Sequence, residues 1–275
     1  MRSVTGFVRG AIMLLMSAII AGCDSPPDQS TASDDAANPA APGFNAAESD
    51  PEAIALADRV MATMGGRDAW DATRYIGWRF FGVREHLWDK HENIDRIDYT
   101  DRDGANWVVI VDLDTKEGLV FQNGERIDDP ALERETLERG YEMWINDSYW
   151  LVMPYKLKDT GVTLRRLGDG ALSDGRPAKK LELTFEGVGV TPQNKYEVLV
   201  ASDTGLVEEW SYFANATDAE PRMTTPWEDW GWYGEIMLAP GRGERDHTKV
   251  GVYESVPATA WTHPEPVALN PNDGG

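Results

Sequence analysis

A single cysteine, Cys23, excludes a disulfide framework and any cysteine-rich metal site. Basic residues are also scarce: 26 Lys and Arg face 47 Asp and Glu, for a formal charge of −21. Such a surface repels phosphate backbones, so no nucleic-acid partner is expected, and it does not adsorb to anionic lipid by charge. Histidine appears only four times. Beyond Ile20 no apolar run approaches the ~20 residues that a membrane span needs. The motifs of common chemistries are missing too. There is no G-x-S-x-G elbow, and Ser148 reads as a capping residue just past a helix end. Glu208 and Glu209 fall on opposite faces of a strand and cannot share a proton. Gly187-Val188-Gly189 lacks the third glycine and following helix of a nucleotide site. No cofactor and no enzymatic activity are expected.

The amino terminus is more informative. Arg2 and Arg9 precede the apolar stretch Ala11 to Ile20, which ends in the small pair Ala21-Gly22. That order is a secretory signal, too short for a finished membrane helix. Ile20-Ala21-Gly22-Cys23 resembles the lipobox of bacterial lipoprotein precursors. The resemblance implies that residues 1–22 are removed, that Cys23 receives a diacylglyceryl group, and that the new amino terminus is acylated with a fatty acid such as palmitate. Several acyl chains meet the requirement for stable anchoring, so membrane lipid is an expected partner. The alternative is a free thiol after an ordinary signal peptide. Asp24 follows the anchor, which in enterobacterial lipoproteins implies retention at the inner membrane. Residues 24–50 hold six acids, no base and one large apolar residue, Phe44, so a disordered tether is expected.

Residues 51–257 read as one domain. Asp50-Pro51 looks like a helix start, and Ile54, Ala57, Val60, Met61 and Met64 follow at helical spacing up to Gly65-Gly66. A short helix from Asp68 to Arg74 would bury Trp70. The period then becomes two, with Trp78 and Phe80 on one parity and Phe81, Val83 and Leu87 on the other, which suggests a bulge near Gly82 or burial on both faces. Turn residues separate strand candidates at 94–99, 107–113, 119–122, 180–185, 195–201 and 206–213. Trp107, Val109, Val111 and Leu113 share a parity, as do Tyr196, Val198 and Val200. One helix interrupts the meander: Asp129-Pro130 starts it, and Leu137, Tyr141, Trp144 and Ile145 form its stripe. The segment beyond 257 reads as an extended tail. The class expected is α+β, a strongly curved antiparallel sheet (an open half-barrel) with the N-terminal and inserted helices on its concave face.

This order resembles lipoprotein carriers of the LolA/LolB type. The run Asn146 to Asp159 (NDSYWLVMPYKLKD), followed by Gly187-Val188-Gly189-Val190-Thr191-Pro192, is similar to a group of bacterial envelope lipoproteins placed near that fold. The resemblance implies a non-enzymatic envelope protein that binds an acyl chain or a lipidated peptide. The alternatives are an envelope scaffold with a filled core and a metal-dependent hydrolase.

Eleven tryptophans and the cluster Trp227, Trp230, Trp232 and Tyr233 fit an adaptable apolar site. By shared parity, Trp78, Phe80, Trp107, Val109 and Val111 are expected to line the concave face. Trp150, Met153 and Tyr155, which follow the inserted helix, are expected at its mouth. The densest metal-like grouping is His86-Leu87-Trp88-Asp89-Lys90-His91-Glu92. His-x4-His holds zinc on helices, whereas this segment reads as a strand entering a turn, with Lys90 inside the ligand set. Packing of His86 beside Trp88 is the plainer expectation, and His86 and His91 stay weak metal candidates.

Overall fold

The structure is a computed structural model that describes residues 37–269. The expected signal peptide (1–22), Cys23, residues 24–36 of the tether and residues 270–275 of the tail lie outside the described residues.

Helix α1, Pro51–Thr63, buries Ala57, Val60 and Met61 of the expected stripe together with Leu56, while Ile54 is half-buried. Asp50 does not cap it with its side chain; its carboxylate accepts the Arg166 backbone N–H at 2.8 Å. The helix stops at Gly65, where φ is +110° and a Cβ would sit 2.2 Å from the Glu235 carbonyl oxygen, so only glycine fits. Helix α2, Gly66–Ala72, buries Trp70.

Strands β1 (Tyr75–Phe80) and β2 (Arg84–Asp89) form a hairpin whose connection includes Phe81 and Gly82, both at positive φ. The parity change near Gly82 is therefore a chain reversal, not a bulge in one strand. The meander continues through β3 (Ile94–Thr100), β4 (Asn106–Asp112), β5 (Gly118–Gln122) and β6 (Glu125–Arg126). After the inserted helix come β7 (Val162–Ala171), β8 (Pro177–Phe185), β9 (Lys195–Ala201), β10 (Val207–Phe213) and β11 (Met223–Pro226). A small hairpin, β12 (Gly231–Tyr233) and β13 (Ile236–Leu238), precedes β14 (Thr248–Tyr253).

The strands form two large, separately bonded antiparallel sheets, with β12 and β13 paired only with each other, instead of the one continuous sheet expected. One has seven strands in the order β14-β1-β2-β3-β4-β5-β6, the other five in the order β11-β10-β9-β8-β7. The return of β14 beside β1 lets the C-terminal strand close one edge of the larger sheet. The main hydrophobic core runs through both sheets and all three helices, and three small clusters lie outside it.

Helix α3, Pro130–Val152, crosses this core. Asp129 caps it, its carboxylate accepting the Ala131 N–H at 2.9 Å. It extends further than its apolar stripe indicates, so Ser148 and Trp150 lie within it, and a 3-10 turn, Met153–Lys156, follows. Where it crosses β4 it carries Gly140, at which a Cβ would approach the Val109 methyl to 2.8 Å. The missing side chain sets the distance between helix and sheet.

Two expectations about the ends are corrected. Residues 37–50 are packed and hydrogen-bonded where a loose tether was expected. The Asn38 amide donates to Asp58 at 2.8 Å, the Ala41 N–H to the Lys158 carbonyl at 2.9 Å, and the Asn45 N–H to the Val162 carbonyl at 3.0 Å. Phe44 packs against the core, so burial and backbone bonds offset the ordering entropy. Residues 258–269 are likewise not a free tail. Trp261 stacks near Tyr75, and buried Arg96 donates to the carbonyls of Ala260, His263, Pro264 and Glu265.

Candidate functional site

The inner face of the seven-stranded sheet carries Trp78, Phe80, Val109 and Val111, all on the parity expected and all buried. They pack against other core side chains. At their centre lies a group of charges. His86 Nδ1 is 2.8 Å from an Asp95 carboxylate oxygen, and its Nε2 is 2.9 Å from Asp147. Arg84 donates to the same Asp147 through Nε (2.6 Å) and Nη2 (2.9 Å), a side-on fork. Trp78, its partner across the hairpin, covers the imidazole at 4.5 Å and 5°.

Burial opposes charge on His86, but the Asp95 and Asp147 carboxylates outweigh it and raise the imidazole to about 9. Burial raises Asp95 to about 6 against the pull of His86. Asp147 is also buried, yet its bonds from His86 and Arg84 hold it below the usual carboxylate range. His86 is therefore an imidazolium with both N–H groups committed, and it has no lone pair for a metal. His91 is exposed in the β2–β3 turn, with Nε2 2.9 Å from the Asp71 carbonyl. Among the described residues no group of three or more His, Cys, Asp or Glu is arranged to hold a metal. The stacking partner of His86 is Trp78, where Trp88 was expected.

The remaining expected positions separate. Trp107 lies half-buried, its indole N–H donating to Asp101 at 2.8 Å. Met153 is fully buried. Tyr155 stacks on Trp70 at 4.2 Å, and its hydroxyl lies within hydrogen-bond distance of the Met64 and Met237 carbonyls. This phenol ties α1 to β13 and lies in the core, not at a mouth.

Trp150 alone of the eight lines the apolar chamber that the fold leaves open. That chamber, about 330 Å³, lies between the C-terminal half of α3 and the five-stranded sheet, under the loop Val188–Thr191. Its walls are Tyr149, Trp150, Phe185, Tyr196, Trp210 and Tyr212. The rings meet edge to face: Tyr149 and Phe185 at 75°, Phe185 and Tyr196 at 76°, Tyr196 and Trp210 at 68°. No charged side chain lines it. The Tyr149 hydroxyl is buried there with no acceptor among the described residues, and burial pushes its phenol well above the ordinary range. Tyr196 was legible as an inward strand position, but nothing in the sequence places it opposite Tyr149.

No family model and no curated protein matches this chain. Among solved structures, a DUF1329 family protein from Desulfovibrio piger is 13% identical, over 77% of this chain and 97% of its own, with a TM-score of 0.42. The lipoprotein LppX from Mycobacterium tuberculosis is 14% identical over 60% of this chain and 88% of its own, at 0.25. The MucA/MucB complex of Pseudomonas aeruginosa is 15% identical over 62% of this chain and 56% of that one, at 0.22. All three scores lie below 0.5, and none of these likenesses carries an inference about function.

Proposed function

We propose that this chain is a non-enzymatic lipoprotein of the bacterial envelope, anchored through Cys23, that holds an acyl chain or a lipidated peptide in the aromatic chamber. In this reading the two sheets and α3 work as the open half-barrel of a carrier, with the chamber as its mouth. Asp24 beside the anchor favours the inner over the outer membrane under the enterobacterial rule. The observation that carries the proposal is the chamber itself: about 330 Å³ of apolar space walled by aromatic rings and lined by no charged side chain. Pockets of about 300–1,000 Å³ are the ordinary size for small ligands. Each methylene buried there contributes about 0.8 kcal/mol before ordering costs.

Native mass spectrometry of the full chain from membranes is expected to show a co-purifying lipid, and its N-terminal fragment an acylated Cys23. Val190 lines the chamber and is 48% exposed, so Val190→Asp should leave the fold intact. It should weaken a fluorescent fatty acid about tenfold, because a carboxylate at the entrance must be desolvated. A protein that arrives without lipid and binds no probe is instead the filled-core scaffold.

A further inference from the structure

The aromatic chamber shares Trp150 and Met223 with a second cavity of about 550 Å³, whose wall also includes Phe81, Thr225, Arg242 and Arg245. Arg242 is only 4% exposed. Its guanidinium lies 3.5 Å over the Trp227 ring and donates to the carbonyls of Ala239 (2.9 Å), Gly241 and Trp150. These contacts use three of its five N–H groups.

Other arginines of this protein show what the remaining edge usually does. Arg74, Arg84 and Arg96 each place Nε and Nη2 side-on against one carboxylate: Asp89, Asp147 and Asp98 respectively. Arg242 makes no ion pair among the described residues, and its Nε, buried from solvent, has no acceptor among them. Burial pulls the guanidinium down to about 9 although Asp246 and Glu228 lie near enough to favour its charge, and the Asp246 carboxylate accepts the Arg242 backbone N–H at 2.9 Å instead. The resident anions thus leave the fork unfilled. On the rim, exposed Arg245 adds a second cation and exposed Glu244 an anion that water screens.

We infer that the ligand is an amphiphile with an anionic oxygen head, a carboxylate or phosphate, whose chain occupies the aromatic chamber while its head meets Arg242 and Arg245. The inference rests on the proposed function for the chain part of the ligand and adds the head. A planar guanidinium edge already stripped of water matches such a head in shape and charge. An uncharged chamber alone would give the opposite preference, because an ionised head is better hydrated than a hydroxyl.

The full chain titrated calorimetrically at pH 8 with dodecanoate and with dodecan-1-ol separates the two. The acid is expected to bind about tenfold tighter than the alcohol. Arg245→Gln should weaken the acid several-fold and leave the alcohol unchanged, and Arg242→Gln should abolish the preference. Equal binding, or a preference for the alcohol, overturns the head-group inference and leaves the proposed function standing. Binding of neither overturns both. Should Arg242→Gln fail to fold, the wild-type ratio and the exposed Arg245→Gln variant still decide.

Discussion

Asp147 and Tyr149 are two residues apart on α3 and serve opposite halves of the molecule. Two helical positions differ by roughly 200°, so one side chain enters the seven-stranded sheet and the other the five-stranded sheet. On the first side the helix is fixed by charge, with Asp147 between Arg84 and His86 and Asp95 behind. On the second side Tyr149 meets the rings of Phe185, Tyr196 and Trp210, and space is left beside them. A buried ionic network tolerates no gap and one geometry, whereas edge-to-face rings hold a helix without filling every void. The charged half therefore locates α3, and the aromatic half leaves space beside it.

Breaking the charged half should have the largest effect. Asp147→Ala leaves an imidazolium and a guanidinium facing buried space without their shared partner, and is expected to cost about 3–5 kcal/mol of stability. Urea unfolding checks this; a loss below about 1 kcal/mol would mean that water replaces the carboxylate and that the network does not hold the helix.

The pH dependence is next in size. His86 keeps its proton up to about 9 in the folded state and releases it near 6.5 when unfolded. Its contribution is full below pH 6.5 and fades as pH rises through 9, a loss of up to about 3 kcal/mol. The Asp95 and Asp147 shifts act below this window. Lys90, which burial lowers to about 8, opposes the trend only above that pH. The difference between wild type and His86→Gln isolates the histidine: its slope should be negative from pH 6.5 to 8. Parallel curves would show that His86 is neutral in the fold.

The smallest effect belongs to the open half. Tyr149→Phe removes a buried hydroxyl with no acceptor among the described residues and should raise stability slightly, by no more than about 1 kcal/mol. A clear loss in a thermal melt would reveal a bonded phenol and a more constrained chamber than the ring geometry indicates.

Much of the fold was legible in the chain. The Asp129-Pro130 start, the helical stripe of α1 and the six strand candidates were readable because caps and periodicity are local. The inward parity of Trp78, Phe80, Val109 and Val111 was readable for the same reason. Residues 37–50 misled because their composition is that of a linker. Much of their order comes from contacts more than a hundred residues away, such as Asn45 with Val162. The site was less legible still. His86 looked like a metal candidate because Asp95 and Asp147 are separated from it by 9 and 61 positions, and only the fold brings both to its ring. Arg242 carried no local signal at all.

The sequence by itself determined the charge, the helix starts and the inward face of the meander, since each depends on neighbours within a few residues. The tertiary structure decided that the strands divide into two sheets, that α3 runs on past its apolar stripe, and which aromatics enclose space. These outcomes depend on side chains meeting across long loops, where burial of one charge against another and the fit of rings at an angle choose between arrangements that local spacing leaves equal.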